Sequence, residues 1–213
     1  MEWTDAAKRA TYHHGDLRSA LIAAGIEMLE EVGPEKVSLR GIAARVGVSH
    51  TAPKNHFDGL RGLLTAIATT GYDRHAAEMR RGVEDLPPGK ARLHAAGDGY
   101  LRFALANPEL FKLMFSSTLC DVADPDFRRA SAASYEVLRG IAHGLDWDKS
   151  GAGGNPSRTE WMLWSMVHGY AMLMIEGQIP TAPDGAPMFD IAGLLPDFGY
   201  RPDPPALGPA DSP

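Results

Sequence analysis

The sequence predicts an all-α protein, because apolar residues recur every three or four positions in successive segments and turn residues separate those segments. No segment shows the strict alternation of apolar and polar residues that is typical of strands. The segments near the N-terminus are short and capped, and those behind them are longer. We therefore expect a small helical domain over residues 12–60 and a larger helical body over residues 61–195. The proline-rich residues 196–213 are predicted to be a disordered tail.

The N-terminal domain is predicted to contain three helices. Apolar residues at helical spacing place the first over residues 16–32. A second helix is predicted over residues 39–46. The hydroxyl of Ser38, just before it, can accept a hydrogen bond from a free amide of its first turn, and Gly47 can end it with a positive φ. Ser49 is predicted to cap a short third helix that ends near residue 56. Two helices joined by a short connection that contains glycine form a helix-turn-helix.

The body is predicted to contain six further helices. Their predicted ranges are residues 60–81, 90–106, 109–119, 125–145, 157–177 and 188–195. The helix over 157–177 is apolar on all sides, so we expect it to be buried on both faces, one of them against a second copy of the chain. The apolar run within it, residues 161–175, is shorter than the roughly 20 apolar residues that a membrane span needs, and Ser165 and His168 interrupt it.

Charge and cysteine content limit the class of protein. The chain has a net charge of −6, and its first 75 residues hold nine basic and nine acidic side chains. Electrostatics alone therefore does not predict a nucleic-acid partner. A lone cysteine, Cys120, excludes an internal disulfide and a cysteine-based zinc site. The N-terminal residues lack the apolar core of a secretory signal, and we expect a cytoplasmic protein.

A family resemblance is carried by the run SLRGIAARVGVSHTAPKNHFDGLRGLL, residues 38–64, and by TYHHGDLRSALIAAGIEML before it. Both segments resemble the N-terminal domain of the TetR family of bacterial regulators. A Trp-x-x-x-His-Gly motif at Trp164, His168 and Gly169, with the segment YLRFALANPELFKLMF, is similar to one branch of that family. The resemblance implies about nine helices, a homodimer through the last two long helices, and a ligand pocket in the body.

Two positions depart from the family pattern. A lysine usually opens the fourth helix of the family and binds phosphate, whereas this chain has Leu60 followed by Arg61. Pro53 and Lys54 stand where the recognition helix often has an aliphatic residue and a tyrosine. Pro53 would remove only the first intrahelical amide bond, so we expect the third helix to persist in a slightly tightened form.

The helix-turn-helix assigns candidate DNA contacts, because its second helix enters the major groove. The side chains predicted to contact base edges or adjacent phosphates are His50, Thr51, Lys54 and Asn55. Those predicted to hold phosphates are Ser38, Arg40, Ser49, His56 and Arg61. Four of these have a structural alternative: Ser38 and Ser49 cap helices, Arg40 is a solvated surface charge, and His56 packs beside Phe57.

The body offers a set of aromatic and apolar side chains that suit an apolar or aromatic effector. The candidates for lining its pocket are Tyr100, Phe103, Phe111, Met114, Phe115, Trp161, Trp164, His168 and Met172. Periodicity does not separate pocket from core, so each is equally interpreted as core, and His168 as a hydrogen-bonded interior histidine. We expect no metal and no cofactor, because His168 has no histidine or carboxylate partner at helical spacing and the His13-His14 pair has no nearby carboxylate except Asp16.

Three function classes follow from these patterns. The first is a DNA-binding transcriptional regulator, most simply a repressor, that binds an operator as a homodimer and responds to a small molecule. The second is a helical ligand-binding or interaction protein whose helix-turn-helix no longer binds DNA. An enzyme is the third and is not expected, because the chain has no nucleophile elbow, Walker loop, Rossmann fingerprint or zinc-protease motif.

Overall fold

A computed structural model describes residues 14–146, 156–180, 182–183, 191–195 and 199–200, and the side chains of residues 17–145, 158–180, 182–183 and 191–195. The α-helices within these ranges are α1 (His14–Val32), α2 (Leu39–Val46), α3 (Gly59–Arg80), α4 (Lys90–Ala106), α5 (Pro108–Met114), α6 (Pro125–Ala142), α7 (Pro156–Ile175) and α8 (Ile191–Leu194). Two short 3-10 helices, Pro34–Lys36 and Ala52–Asn55, flank α2. The fold is all-helical, as predicted. Its only strand pairing within the described ranges is a two-residue antiparallel ladder between β1 (Leu145–Asp146) and β2 (Gly199–Tyr200).

The chain divides into two compact units. The first takes its residues from Met1–Gly71 and Glu109–Arg128, and the second from Tyr72–Pro108 and Arg129–Pro213. Helix α5 and the loop after it thus belong to the same unit as the helix-turn-helix. This first unit is larger than the predicted DNA-binding domain of residues 12–60, whose boundaries remain a prediction.

Helix α2 has the two ends that its sequence predicts. The Ser38 hydroxyl accepts a hydrogen bond from the Gly41 amide at 3.1 Å, which satisfies one free donor of the first turn. Gly47 ends the helix in the left-handed region at φ 77°, and the Val48 amide donates to the Ala43 carbonyl at 3.0 Å. Ile42 faces inward with no exposed surface. The capping prediction is confirmed at both ends.

The segment after α2 differs from its prediction. It forms a 3-10 helix over Ala52–Asn55 rather than an α-helix opened by Ser49. Lys54 donates to the Thr51 carbonyl at 3.1 Å, and His56 to the Pro53 carbonyl at 3.0 Å, which is 3-10 spacing. Pro53 has no amide to donate, so the α-helical bond from residue 53 to the Ser49 carbonyl cannot form. The Ser49 hydroxyl instead accepts from the Thr51 amide at 3.3 Å in a local turn.

Three polar contacts hold α5 and its loop within the first unit. The Glu30 carboxylate of α1 accepts from the amides of Glu109 and Leu110 at 3.2 and 2.8 Å, in the first turn of α5. The Asp121 amide donates to the Thr65 hydroxyl of α3 at 2.8 Å. The partners in these contacts are separated by 56 to 80 positions in the sequence. The contacts give hydrogen-bond acceptors to backbone amides that would otherwise lose their hydrogen bonds to water on folding.

The second unit is built on α4, α6, α7 and the C-terminal part of α3. Helix α4 approaches α3 closely, because a Cβ atom at Gly99 would lie against the backbone of Glu78. His75 of α3 is buried, and its Nδ1 lies 2.9 Å from the Ser134 hydroxyl of α6. Burial, together with the positive charge that His168 carries when it is protonated, lowers the pKa of His75 to about 3, so His75 is neutral near pH 7.

Several helix ends differ from the predicted ones. Helix α5 ends at Met114 and not at residue 119, because Ser116 starts a turn in which its hydroxyl accepts from the Leu119 amide at 3.3 Å. Helix α6 ends at Ala142 and not at residue 145, since Gly144 takes a φ of 76°.

Helix α7 begins at Pro156, where a proline is compatible with the first helical turn, one residue before the predicted serine cap. Helix α8 is described from Ile191, and the earlier residues of its predicted range, 188–190, lie outside the described residues. Gly199–Tyr200 falls inside the predicted tail and pairs with β1. The rest of the tail, residues 196–198 and 201–213, lies outside the described residues.

Candidate DNA interface and ligand cavity

A row of exposed polar side chains extends from the start of α2 through the turn and 3-10 segment after it to the start of α3. Those of the predicted DNA contacts that are exposed are Ser38, Arg40, Ser49, His50, Thr51, Lys54, Asn55 and Arg61, and His56 is half-buried. Neither Arg40 nor Lys54 makes an ion pair with any residue that the structure describes. Two cations and several hydroxyl and amide groups of this row are therefore available to a partner such as a phosphate backbone.

Beneath this row the chain is anchored by its apolar residues. Pro53 and Phe57 are buried, so the segment between them is fixed at both ends. The Arg18 guanidinium of α1 lies over the Phe57 ring, 5.4 Å from its centroid, in a cation–π contact. The His56 and Phe57 rings are 6.3 Å apart, which agrees with the packing alternative for His56. A rigid base under a polar row is what an interface on a short segment requires.

Helix α2 is fastened to α1 by a forked ion pair. Arg45 donates to both carboxylate oxygens of Glu31, one of them at 2.9 Å, and lies 3.8 Å from Glu27. The hydrogen bond from Arg45 lowers the pKa of the Glu31 carboxyl. Arg45 was not among the predicted site residues. Its charge is used within the protein, whereas that of Arg40 on the same helix is not.

Arg61 has an intramolecular partner. It donates to the Cys120 carbonyl at 3.0 Å and lies 4.0 Å from the Asp121 carboxylate. Its side chain is nevertheless 59% exposed, so a phosphate could still reach it. The buried Cys120 thiol donates to the carbonyls of Leu64 and Leu113 at 3.8 and 3.6 Å, and burial raises its pKa to about 12. Cys120 is therefore a packing residue and not a reactive thiol.

The second unit contains a cavity whose volume, measured as the space open to the centre of a water-sized sphere, is about 50 Å³. Its walls come from α3, α4, α6, α7 and the segment over α8. The lining residues are Met79, Leu93, His94, Ala96, Gly97, Asp98, Tyr100, Leu138, Ile141, Leu163, Val167, Ile191, Ala192 and Leu195. All but three are apolar, and the cavity belongs wholly to the second unit.

A hydrogen-bonded cluster lies beside the cavity. The Tyr100 hydroxyl is 2.9 Å from Nδ1 of His168, and it also makes a hydrogen bond with Trp164. Burial raises the pKa of the Tyr100 hydroxyl and lowers the pKa of His168, so both groups are neutral near pH 7. The ring of His75 meets the Tyr100 ring edge-on, with 4.4 Å between centroids. His168 therefore has the hydrogen-bonded interior environment that was its structural alternative.

The predicted pocket residues are distributed over both units. Of the nine, Tyr100 alone lines the described cavity. Phe103 is buried in the second unit, where Trp164, His168 and Met172 are half-buried and Trp161 is 57% exposed. The others are in the first unit: Phe111 and Met114 are fully buried, and Phe115 stacks edge-on against Phe111. Their role as pocket residues remains a prediction.

Sequence reasoning missed most of the cavity walls. Leu93, Gly97 and Tyr100 do share one predicted face of α4, which is a signal that periodicity provides. The residues from α6 and α8 have no such signal, because their contribution depends on how distant helices pack. Within the described part of the chain, no group of three or more histidine, cysteine, aspartate or glutamate residues could hold a metal ion. No helix described there is long and apolar enough to cross a membrane.

Comparison with known proteins agrees with this architecture. Residues 93–192 match the family model described as a tetracycline repressor-like C-terminal domain. No curated protein of known function matches the chain.

Several solved structures share the fold. A protein of unknown function from Rhodococcus sp. RHA1 is 32% identical, over 87% of this chain and 94% of that one, with a TM-score of 0.71. A TetR family transcription regulator from Marinobacter aquaeolei VT8 is 17% identical, over 78% of this chain and 87% of that one, with a TM-score of 0.58. The regulator FadR from Bacillus subtilis, in complex with stearoyl-CoA, is 14% identical, over 83% and 92%, with a TM-score of 0.59.

The branch defined by Trp164, His168 and Gly169 stays a prediction. The family itself does not depend on that motif. The matched C-terminal domain, the helix-turn-helix with its two confirmed caps and the fold shared over most of the chain agree with one another. The chain belongs to the TetR family of transcriptional regulators.

Proposed function

We propose that the protein is a DNA-binding transcriptional regulator, acting in the cytoplasm as a repressor, that binds its operator as a homodimer and responds to a small apolar effector. The observation that carries the DNA-binding part is the exposed row of side chains on α2 and on the turn and 3-10 segment after it. Arg40 and Lys54 keep their charges available there, and Asn55 and Thr51 add groups that can bond base edges. The buried Pro53 and Phe57 hold the row in place.

The homodimer is supported by the surface of α7. Leu163, Val167 and Tyr170 are buried within the second unit, while Trp161 and Leu173 are 57% and 48% exposed. Large apolar side chains exposed on an otherwise apolar helix indicate an interaction surface. A second copy of the chain is the simplest partner, because an operator with two half-sites matches a two-fold symmetric protein.

The effector response is supported by the cavity. Its walls are apolar, and it lies in the domain that the family model matches. Bacillus subtilis FadR, which shares the fold, was solved in complex with stearoyl-CoA. A ligand can shift DNA affinity only by its preference for one of two conformations, so the expected change equals that preference. We therefore propose a regulator that binds its effector without converting it, since the family is one of transcription regulators.

The test is binding of the full-length protein to labelled fragments of the DNA upstream of its own gene, followed by fluorescence anisotropy over a range of salt concentrations. We expect Lys54→Ala to weaken binding and to reduce the slope of log K against log salt by about 0.9, the value for one phosphate contact. Arg74→Ala is the control, since Arg74 is an exposed cation of the second unit. Equal slopes for wild type and Lys54→Ala would remove Lys54 from the interface.

The alternative function, a ligand-binding protein without DNA binding, is favoured by one observation. The segment expected to enter the major groove is a 3-10 helix of only four residues. If no upstream fragment binds saturably at low salt while the protein remains dimeric and folded, this alternative replaces the regulator. Light scattering of the Trp161→Glu variant tests the dimer separately: we expect a monomer, and an unchanged mass would exclude α7 as the interface.

A further inference from the structure

The mouth of the cavity lies on α4. His94 and Asp98 are one helical turn apart, both are exposed, and both line the cavity together with Gly97. The remaining lining residues, except Tyr100, are apolar. Two of the three polar lining residues, His94 and Asp98, are therefore accessible to solvent, and the third, Tyr100, is buried.

The buried polar group is already used by the protein. The Tyr100 hydroxyl is engaged by His168 at 2.9 Å and by Trp164. A ligand group enclosed by the cavity thus meets apolar walls such as Leu138, Leu163 and Val167. A polar group placed there would lose its hydration without replacement, so the enclosed part of a ligand has to be apolar.

The mouth carries a negative charge. Asp98 makes no ion pair with any residue that the structure describes. Arg102, one turn further along α4, is directed elsewhere, since it donates to the Glu78 carboxylate at 3.1 Å. The Asp98 carboxylate is thus the uncompensated charge among the described lining residues, and it attracts a cation and repels an anion.

We propose that this cavity binds a small organic cation, whose apolar body enters between α4, α6 and α7 while its ammonium group stays at the mouth beside Asp98. The volume of about 50 Å³ corresponds to about three to five water-sized groups, at about 10–15 Å³ for each. About three to five carbons of an alkyl chain fill this space, so a six-carbon chain is long enough to leave its polar end group at the mouth. This inference deepens the proposed function and rests on it, because it names the ligand class of the effector cavity.

Gly97 makes the cavity testable by mutation. A Cβ atom added there would meet no atom within 4 Å, and Gly97 has an ordinary helical backbone, so a larger side chain fits without backbone strain. Because Gly97 lines the cavity, that side chain would occupy ligand space. Gly140 of α6 is the matched control: a Cβ atom there also meets no atom within 4 Å, and Gly140 lies outside the cavity lining.

The experiment compares three probes of equal chain length, hexylamine, 1-hexanol and hexanoate, by NMR titration of the full-length protein at pH 7.5. Dissociation constants near the millimolar range are expected for ligands of this size. We expect hexylamine to bind about two- to fivefold more tightly than 1-hexanol, which is the range for an exposed ion pair, and hexanoate to bind most weakly. Asp98→Asn should remove the preference for the amine, and Gly97→Leu should abolish binding of all three while Gly140→Leu retains it.

Three results would overturn the proposal: tighter binding of hexanoate than of hexylamine, an amine preference that survives Asp98→Asn, or wild-type binding by a folded Gly97→Leu. Asp98→Asn changes only a surface group, so it remains informative if Gly97→Leu does not fold. Operator binding is measured on the same preparations without ligand. Operator binding without an amine preference contradicts this inference alone, whereas an amine preference without operator binding contradicts the proposed function.

Discussion

The two units differ in how their interiors are filled. The largest side chains with less than 2% exposure all belong to the first unit, among them Phe111, Leu110 and Leu29. The second unit holds four of the five buried polar side chains among the described residues, His75, Ser134, Thr159 and Glu160, whereas the first holds Thr65, and the second unit also contains the cavity. One interior is close-packed and the other has free space beside a hydrogen-bonded cluster.

This difference corresponds to the two tasks of a regulator. A surface that reads DNA has to be held at a fixed spacing, and close packing with long-range polar contacts gives that rigidity. A domain that responds to an effector needs space for a ligand and an interior with more than one arrangement. The polar cluster around Tyr100 specifies which side chains meet next to that space, since each buried polar group requires a partner.

The largest expected contrast is a leucine truncation in each unit. Leu110→Ala should lower the free energy of unfolding by about 3–5 kcal/mol, because Leu110 has no exposed surface and its loss leaves a new cavity. Leu163→Ala should cost less, about 2–3 kcal/mol, since Leu163 already borders free space. Urea unfolding, followed for each unit where the transitions separate, measures both. Equal losses would remove the packing contrast between the units.

The cap on α5 should have an intermediate effect. Glu30→Ala leaves the amides of Glu109 and Leu110 without their carboxylate acceptor, and we expect a loss of about 1–2 kcal/mol in the stability of the first unit. Glu35→Ala is the control, because Glu35 is exposed and makes no ion pair within the described residues. If both variants unfold at the same urea concentration, Glu30 does not hold α5 in place.

Lowering the pH should reduce the free energy of unfolding of the second unit by an amount comparable to the loss expected for Glu30→Ala. The pKa of His75 is about 3 in the folded protein and about 6.5 in an unfolded chain. Below pH 6.5 the unfolded state therefore binds one more proton than the folded state, and the free energy of unfolding decreases as the pH is lowered. Between pH 7.5 and 5.5 this single group should remove about 1.4 kcal/mol. We expect His75→Gln to be less stable than the wild type at pH 7.5. Between pH 7.5 and 5.5, however, its free energy of unfolding should fall by about 1.4 kcal/mol less than that of the wild type. An unchanged pH dependence in the variant would exclude His75 as its source.

The parts of this fold that the sequence predicts are those set by local rules. The bounds of α2 and α4 agree with their predictions, because local residues set them. Ser38 and Gly47 cap the two ends of α2, and Pro108 follows the last residue of α4 by two positions. The 3-10 segment was predicted only in part: the sequence indicates a tightened helix at Pro53, but not that 3-10 bonds would replace the α-helix over the whole segment.

Long-range partners are outside the reach of periodicity. Arg45 meets Glu31 from 14 positions away, and Glu30 meets the start of α5 from about 80. Nothing local distinguishes these glutamates from the exposed Glu35. The cavity is harder still to predict, because it is a volume left between α3, α4, α6, α7 and the segment over α8, and the apolar residues that surround it follow the same pattern as core residues. The predicted DNA contacts remain predictions that the binding assay decides.

The smallest expected effect sharpens the comparison within the second unit. Gly97→Ala should raise stability by about 0.5–1 kcal/mol, because alanine has the higher helix propensity and its methyl group enters free space. Gly99→Ala, two residues away on the same helix, should instead destabilise, since its methyl group would meet the backbone of Glu78. Thermal unfolding of both variants at pH 7.5 shows whether α4 is close-packed against α3 and open on its cavity side. Opposite signs at the two glycines place the free space at the cavity, whereas a loss at both would mean that the cavity is closed in solution.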